Sequence, residues 1–527
     1  MAALLADKTV LIVAKRLESL SALRTLVQDQ QAGLVQVASS ANMALSLLRM
    51  QSFDLCLIEH GLGEGEKNGY QVIEESVREG LKRAVDCQIL ILPEGSTSVA
   101  NDSLESFADS FFVKPVSSQL FGNRLEKLLK LKQAVKPAEE LIDKGDETKA
   151  IQLIEQMLRK MPSLGPYLTR LQCRLLINRQ DYDRARQLLQ IAADERGMSW
   201  AYMGMGVCHY HQGHFAEAMA CFNQVLERSP ESIEAFDWLS RLYRVIGRNE
   251  PAQKLLEKAV AVHPTVPILQ SDLGDVASEN SSWDVAISAF RESVKYARHS
   301  CYQKPNNYFG LARCLQTKVS PQGGPLSSRA EQEAVRALED VAYEYQEDRL
   351  IRFKSRLMTS ETYKLSGDIK RANAAAQDAF ADFKKLDDSQ QAEELDNLLE
   401  GLENTQLQAV AEEYKADFSR RVFTETEWGR NNLQGIGYYR KGKFEEAFEY
   451  FLKALETVPN SPSVLLNLVQ TGYELVQLQP QRATEILAVC NERLLNVSIG
   501  AMNTKQQDRF RALSDRRAML SDPEFDS

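Results

Sequence analysis

Two different rhythms of apolar residues run along the chain. Over roughly the first 130 residues, short continuous apolar runs alternate with segments of helical spacing. Thr9–Ala14 ("TVLIVA"), Leu34–Ala38, Leu55–Ile58, "QILIL" and "SFFV" are strand-length and apolar throughout. Between and after them lie Ser19–Gln28, "SANMALSLLRMQ", "YQVIEESVREGL", "SLESFADS" and "SSQLFGNRLEKLLKLKQ", which repeat at helical intervals. Strands without polar alternation are buried on both faces, as in a parallel sheet covered by helices. Five such β–α units predict an α/β domain over residues 1–132. In a doubly wound sheet the site lies at the carboxyl ends of the strands.

From residue 134 onward the rhythm is helical and repeats itself. Ala150, Ala185, Ala218, Ala252 and Ala286 recur at spacings of 35, 33, 34 and 34 residues. Four residues after each stands a large apolar residue: Ile154, Leu189, Phe222, Leu256, Phe290. Prolines close several units at 162, 230 and 264. Gly206 and Gly274 mark close helix contacts, and Gly213 and Gly247 the turns between helices. A small residue lets two helices approach, the aromatic fills the gap, and proline stops the second helix. The best single unit is "NNLQGIGYYRKGKFEEAFEYFLKALETVPNSP", with Gly435, Tyr438, Gly442, Ala447, Phe451 and Pro459. Further units begin at "NNYFGLARCLQ", at "SRLMTSETYKLSGDIKRANAAAQDAF" and at "SVLLNLVQTGYELV".

About nine units result over residues 134–500, at the period of the tetratricopeptide repeat. They resemble that family, which implies an α-helical superhelix whose first helices line a concave, partner-binding groove. Residues 317–329, rich in Pro, Gly and Ser, are expected to be an inserted loop. Residues 386–427 are helical and charged but fit the repeat badly, as a connector or a long spacer. Residues 501–527 read as a capping helix and a disordered end.

Composition narrows the function. The chain has 527 residues, more than one core can serve. A net charge of −10 argues against broad nucleic-acid binding and against anionic membrane surfaces. No apolar run is long enough to span a bilayer. Eight cysteines lie scattered, without CxxC, and read as buried thiols of a reducing cytosol. The expected location is therefore cytoplasmic.

In the first domain, two short motifs carry the candidate chemistry. "FDLCLIE" is a buried strand that ends in an acid, Glu59, and "FFVKP" places Lys114 before Pro115. Together with the order of elements they resemble a response-regulator receiver domain, a flavodoxin-like (βα)5 fold. The resemblance makes Glu59 the phosphoacceptor equivalent and Lys114 the phosphoryl contact, with a cis bond before Pro115. It also requires a pair of acids after the first strand to hold Mg²⁺. Ala14 and Lys15 stand there, and a lysine repels a hard cation. The Thr or Ser expected after the fourth strand is Pro93. Phosphoryl transfer needs metal neutralisation of the developing charge, so Glu59 is expected not to accept phosphate. Two readings remain: Glu59 mimics a phosphoaspartate, or Glu59 and Lys114 form an ordinary ion pair.

In the repeats, the phase of the first helices picks out groove positions. They are Trp200, Met203, Val207 and Tyr210 in the third unit, Glu234, Asp237, Arg241 and Arg244 in the fourth, and Asp275 in the fifth. Trp, Met, Tyr and Arg are the types enriched at interface centres. "CHYHQGH" brings His209, His211 and His214 together, but His209 and His211 point apart on a helix and no carboxylate or cysteine partner is suitably spaced. No metal site is expected. No GxSxG, P-loop, HExxH or GxGxxG occurs, and no cofactor or enzyme activity is expected.

A receiver-like head joined to tetratricopeptide repeats resembles auxiliary proteins of bacterial two-component systems, the VieB type. The resemblance implies a non-catalytic signalling adaptor, a phosphorylation-independent pseudo-response regulator. Its partners would be a sensor kinase, a phosphotransfer protein or a response regulator. The alternative is an assembly or localisation scaffold for a pilus, motility or secretion machine, with the head as a docking module.

Overall fold

The structure is a computed structural model that describes residues 4–63, 67–94, 108–196, 198–298, 300–319, 326–495, 502 and 504–520. The chain divides into two compact units, Met1–Trp238 with His299–Cys301, and Leu239–Arg298 with Tyr302–Ser527.

The first unit opens with β1 (Thr9–Val13), α1 (Leu17–Asp29), β2 (Leu34–Ala38), α2 (Ala41–Met50), β3 (Leu55–Glu59), α3 (Gly69–Arg78), β4 (Cys87–Leu92), β5 (Ser110–Val113) and α4 (Ser118–Asp143). The five strands pair in the order β2-β1-β3-β4-β5, all parallel. That is a doubly wound order. Alternate strand residues serve opposite layers. Val10, Ile12, Leu57 and Ile89 meet Leu23, Val27, Phe121 and Leu125 of α1 and α4. Leu11, Val13, Cys56 and Ile58 meet Leu45, Leu48, Val72 and Ile73 of α2 and α3. Both faces of the strands are therefore apolar, which is why the strands read as continuous runs. The helix expected from "SLESFADS" lies largely outside the described residues. Its last three are not helical: Ala108 and Asp109 form a bend and Ser110 opens β5.

Helix α4 crosses the expected domain boundary at 132–134 without a break and contains Pro137. The ring removes one helical donor, but Val135, Ala138 and Glu139 are buried on either side. That burial outweighs a single lost bond.

Helix hairpins follow. They are built from α5 (Glu147–Lys160), α6 (Gly165–Asn178), α7 (Tyr182–Arg196), α8 (Ser199–His211), α9 (Phe215–Arg228), α10 (Ile233–Val245), α11 (Asn249–Val262), α12 (Pro267–Glu279) and α13 (Trp283–Ala297). They continue with α14 (Pro305–Val319), α15 (Ser328–Glu344), α16 (Arg349–Ser366), α17 (Ile369–Phe383), α18 (Asp388–Leu402), α19 (Gln408–Glu425), α20 (Glu427–Arg440), α21 (Phe444–Thr457), α22 (Pro462–Leu478), α23 (Ala483–Leu495) and α24 (Thr504–Leu520). The molecule is thus mostly helical, a tetratricopeptide-like solenoid with an α/β sheet at its N-terminus.

The repeat rests on one recurring contact. A Cβ on Gly206 would lie 2.4 Å from the Phe222 ring, one on Gly274 2.7 Å from Phe290, and one on Gly435 2.6 Å from Phe451. The ring four residues after the repeating alanine fills the space that the glycine leaves. Five residues before the alanine the chain turns through a left-handed residue. It is Gly145, Gly213, Gly247, Gly367 and Gly442 in five units, but Gln180 and Ser281 in two others. The geometry of the turn therefore persists where glycine is absent.

Three segments differ from expectation. The loop expected at 317–329 is helical through Val319 and again from Ser328; residues 320–325 lie outside the described set. Residues 386–427 contribute a helix pair, α18 and α19, hidden from the alanine period because Gly401 of α18 is filled by Leu357 of α16 instead of by an aromatic in its own unit. Helix α24 does more than cap. Arg509 donates to Asn467 and Gln470 on α22, while Gln507 and Arg511 share a small cavity of about 20 Å³ with Asp275 and Arg313.

Candidate functional site

At the carboxyl ends of the head strands, β3 ends in Glu59 and β5 leads into Lys114. The Lys114–Pro115 bond is cis. Lys114 Nζ is ion-paired with Glu59 Oε1 and donates to Ser19 Oγ at 3.0 Å. Ser19 Oγ in turn donates to Glu59 Oε1 at 3.1 Å. Glu59 is buried, and its other oxygen, Oε2, makes no hydrogen bond. Ser19 lies in the first turn of α1 and was not singled out by sequence. A hydroxyl three residues into a helix is ordinary, and only the fold brings it to Glu59.

Ala14 and Lys15 follow β1, and Pro93 follows β4. Ala14 is fully buried and its N–H bonds to the Ala38 carbonyl. Lys15 is exposed, and Pro93 is exposed just beyond β4. A hard divalent cation needs several oxygen ligands, and among the described residues hydrogen-bonded in this cluster Glu59 is the one carboxylate. These residues do not fit a Mg²⁺ site.

A second charged cluster joins the head to the first hairpins. Lys132 on α4 is buried and donates to Glu139 at 2.6 Å, to Asp109 at 3.4 Å and to the Ala84 carbonyl. Tyr167 of α6 donates to Glu139 at 2.6 Å, and Lys82 is paired with Asp109 at 2.7 Å. Asp143 accepts from the N–H groups of Ala84 and Val85. Burial alone would lower the Lys132 ammonium, but Asp109, Tyr167 and Glu139 outweigh it and raise its pKa. Burial raises the Glu139 carboxyl against the pull of Lys132. Counted from the repeating alanines, Lys132, Glu139 and Tyr167 hold inner-face positions of the first two repeats. Of these, Lys132 binds the head, at Ala84 and Asp109.

The groove residues expected from repeat phase are mostly enclosed. Met203 is fully buried, and Trp200 and Val207 nearly so. They do not line an open surface. Helix α8 carries Ala201, Gly204 and Gly206, and it is buried almost all round. Small residues let neighbouring helices close over it. Arg170 lies over the Trp200 ring at 5.7 Å. Tyr210 is half-buried, edge-on to Trp238 at 5.2 Å. Asp237 and Arg241 on α10 are half-buried and both engage neighbours. Arg244 pairs with Glu279 at 2.9 Å; burial would lower its guanidinium, but Glu279 and Asp275 hold it above the usual value. Burial pushes the Asp275 carboxyl up to about 6 against the attraction of Arg244. Asp275 is also the residue that shares its cavity with Arg511 of α24.

The histidines do not converge. His211 stacks on Tyr182 at 5.1 Å, while the rings of His209 and His214 lie 5.8 Å apart. Burial lowers the His209 imidazole. Among the described residues no helix is long and apolar enough to cross a membrane.

The fold and these clusters define a tetratricopeptide-like helical-repeat protein with an α/β sheet at its N-terminus. Residues 180–242 match the tetratricopeptide repeat family model. Solved structures with similar helices include MamA, at 19% identity over 35% of this chain and 91% of that one, with a TM-score of 0.29. The C-terminal part of a TPR repeat-containing protein from Cytophaga hutchinsonii matches at 16% identity over 47% and 94%, with a TM-score of 0.38. PilF of Pseudomonas aeruginosa matches at 12% identity over 44% and 95%, with a TM-score of 0.33. At these identities and TM-scores the likeness carries no argument. No curated protein matches the chain. Tetratricopeptide repeats point to protein partners.

Proposed function

We propose that this protein is a non-catalytic signalling adaptor. Its head is a receiver-like domain without phosphorylation chemistry, and its repeats bind other proteins, modulating a two-component phosphorelay. The observation that supports this reading is the Glu59–Lys114–Ser19 triad. The acid that would take a phosphoryl group is already neutralised by the lysine that would contact it. Ala14 and Lys15 stand where the receiver resemblance requires the metal-binding acids. A receiver-shaped surface of this kind can occupy a kinase or phosphotransfer domain without consuming phosphate. The attached repeats raise the local concentration of a second partner.

The test is affinity capture with the full chain from cells of its source, followed by phosphotransfer assays with what is recovered. A sensor kinase or phosphotransfer protein whose transfer rate changes on adding the chain supports the proposal. Recovery of structural components of a pilus, motility or secretion machine, with phosphotransfer unaffected, contradicts it.

A further inference from the structure

We propose that the inner face of the second unit is a helix-binding groove filled in the free chain by its own α24, and that its partner is a basic amphipathic helix of another protein, which takes the seat of α24. The inner face is formed by the first helices of successive hairpins, α12, α14, α16, α18, α20 and α22. A helix that merely ended the stack would touch the last hairpin alone. Helix α24 packs on α22, but it also reaches earlier hairpins. Gln507 and Arg511 line a cavity of about 20 Å³ with Asp275 and Ser278 of α12 and Arg313 and Cys314 of α14. Met502, two residues ahead of the helix and buried, lines a second cavity of about 30 Å³ with Phe309 of α14, Leu357 and Met358 of α16 and Asn397 of α18.

A ladder of polar contacts fixes the register of the seat. Ser463, Asn467, Gln470 and Glu474 form one stripe along α22. Gln506 donates to Ser463 at 3.1 Å, Arg509 to Asn467 at 2.9 Å and to Gln470 at 2.6 Å, and Arg516 to Glu474 at 2.7 Å. Helix α20 sets the two amides in place. Asn467 donates to Asn432 at 3.4 Å and Gln470 to Tyr439 at 2.9 Å, which leaves their oxygens to Arg509. Between these rungs Phe510 and Leu513 are buried in the apolar cluster that holds Leu466, Val469 and Tyr473. Gln506, Arg509, Phe510 and Leu513 stand at i, i+3, i+4 and i+7, the spacing by which a groove reads one face of a helix. The chemistry that fits is therefore two guanidinium groups flanking two apolar anchors.

The fit of α24 is incomplete, which makes the seat exchangeable. Arg509 is half-buried against two neutral amides, and burial lowers its guanidinium. Ser514 Oγ and Tyr473 Oη are buried without a hydrogen bond among the described residues. Buried polar groups left unpaired oppose the burial of the helix that covers them. A helix with the same anchors that also pairs these hydroxyls binds more tightly than α24. It must still compete with a tethered segment, whose effective concentration is about millimolar. Helix α24 thus admits a strong partner and excludes weak ones. That the partner is a protein rests on the adaptor reading; the seating of α24 stands without it.

The probe is a fluorescein-labelled peptide of residues 504–520, followed by fluorescence anisotropy. It is titrated with the full chain and with the full-length Phe510→Ala, Leu513→Ala double variant, whose own α24 is loosened. Saturable binding to the variant is expected, and binding at least about tenfold weaker to wild type, where the tethered helix competes. A second peptide that keeps Gln506, Arg509, Phe510, Leu513 and Arg516, with alanine or glutamine elsewhere, should bind comparably. Replacing both of its arginines with glutamine should weaken it by about tenfold. Should the double variant fail to melt cooperatively, full-length Arg509→Gln, which keeps both apolar anchors, takes its place with the same expectation. No saturable binding to the loosened chain, equal binding to wild type and variant, or indifference to the two arginines overturns the proposal. A full chain that elutes as a dimer and turns monomeric in the loosened variant overturns it too, and assigns the seat to α24 of a second copy. The assay contains no kinase or phosphotransfer component, so this inference and the signalling reading fail separately.

Discussion

The two carboxylate oxygens of Glu59 are held unequally. One carboxylate oxygen is held by Lys114 and Ser19, and the other is buried without a hydrogen bond. Removing the charge leaves Lys114 with a neutral partner in a partly buried place. Glu59→Gln should therefore lower unfolding free energy by about 1–3 kcal/mol, read by urea denaturation, and Ser19→Ala by about 1. Asp275 makes a prediction in pH. Its pKa in the folded protein stands above its ordinary 3.8, at about 6, so folding favours the protonated form. Ionisation then costs stability. The cost is absent below the ordinary carboxylate pKa, grows as pH rises through the interval, and is complete above about 6. Asp275→Asn should gain melting temperature over wild type as pH is raised across that window, and the gain should level off above it. A difference that is flat in pH would remove Asp275 from this role.

At the scale of elements, the repeat is a set of spaces and fillers. Gly206→Ala would drive a methyl group into the Phe222 ring and should cost about 1–3 kcal/mol. The left-handed turns make the opposite prediction. Gln180 and Ser281 adopt φ of 61° and 57° where other units place glycine. Gln180→Gly and Ser281→Gly should each stabilise by up to about 1 kcal/mol, measured by thermal or urea unfolding. The same positions show what the sequence made legible. The alanine period located hairpins because a small residue and a ring must meet at fixed spacing. It passed over α18 and α19, whose Gly401 is filled from a different hairpin by Leu357. The head strands were legible because both sheet faces are covered. Ser19 was not, since its partners lie 40 and 95 residues away in sequence. The burial of Trp200, Met203 and Val207 was not legible for a related reason. Repeat phase tells which side of a helix faces inward, but Met203 is enclosed by neighbours that the phase does not see.

At the scale of the molecule, the head and the first repeats belong to one compact unit. Lys132 is the tie between them, because it bonds to the Ala84 carbonyl and Asp109 on the head side and to Glu139 on α4. Lys132→Ala leaves Glu139 buried with Tyr167 as its remaining partner. It should cost about 3–5 kcal/mol, and hydrogen exchange should rise together around Ala84–Gln88 and the C-terminal half of α4. Exchange that rises in one of these segments alone would mean that the two fold independently. The proposed function requires that the N-terminal α/β domain carry no phosphorylation chemistry. Incubating the full chain with acetyl phosphate and Mg²⁺ and recording its intact mass tests this directly. The account predicts an unchanged mass under conditions that fully label an active receiver domain. A mass increase of one phosphoryl group, mapped to Glu59, would contradict it.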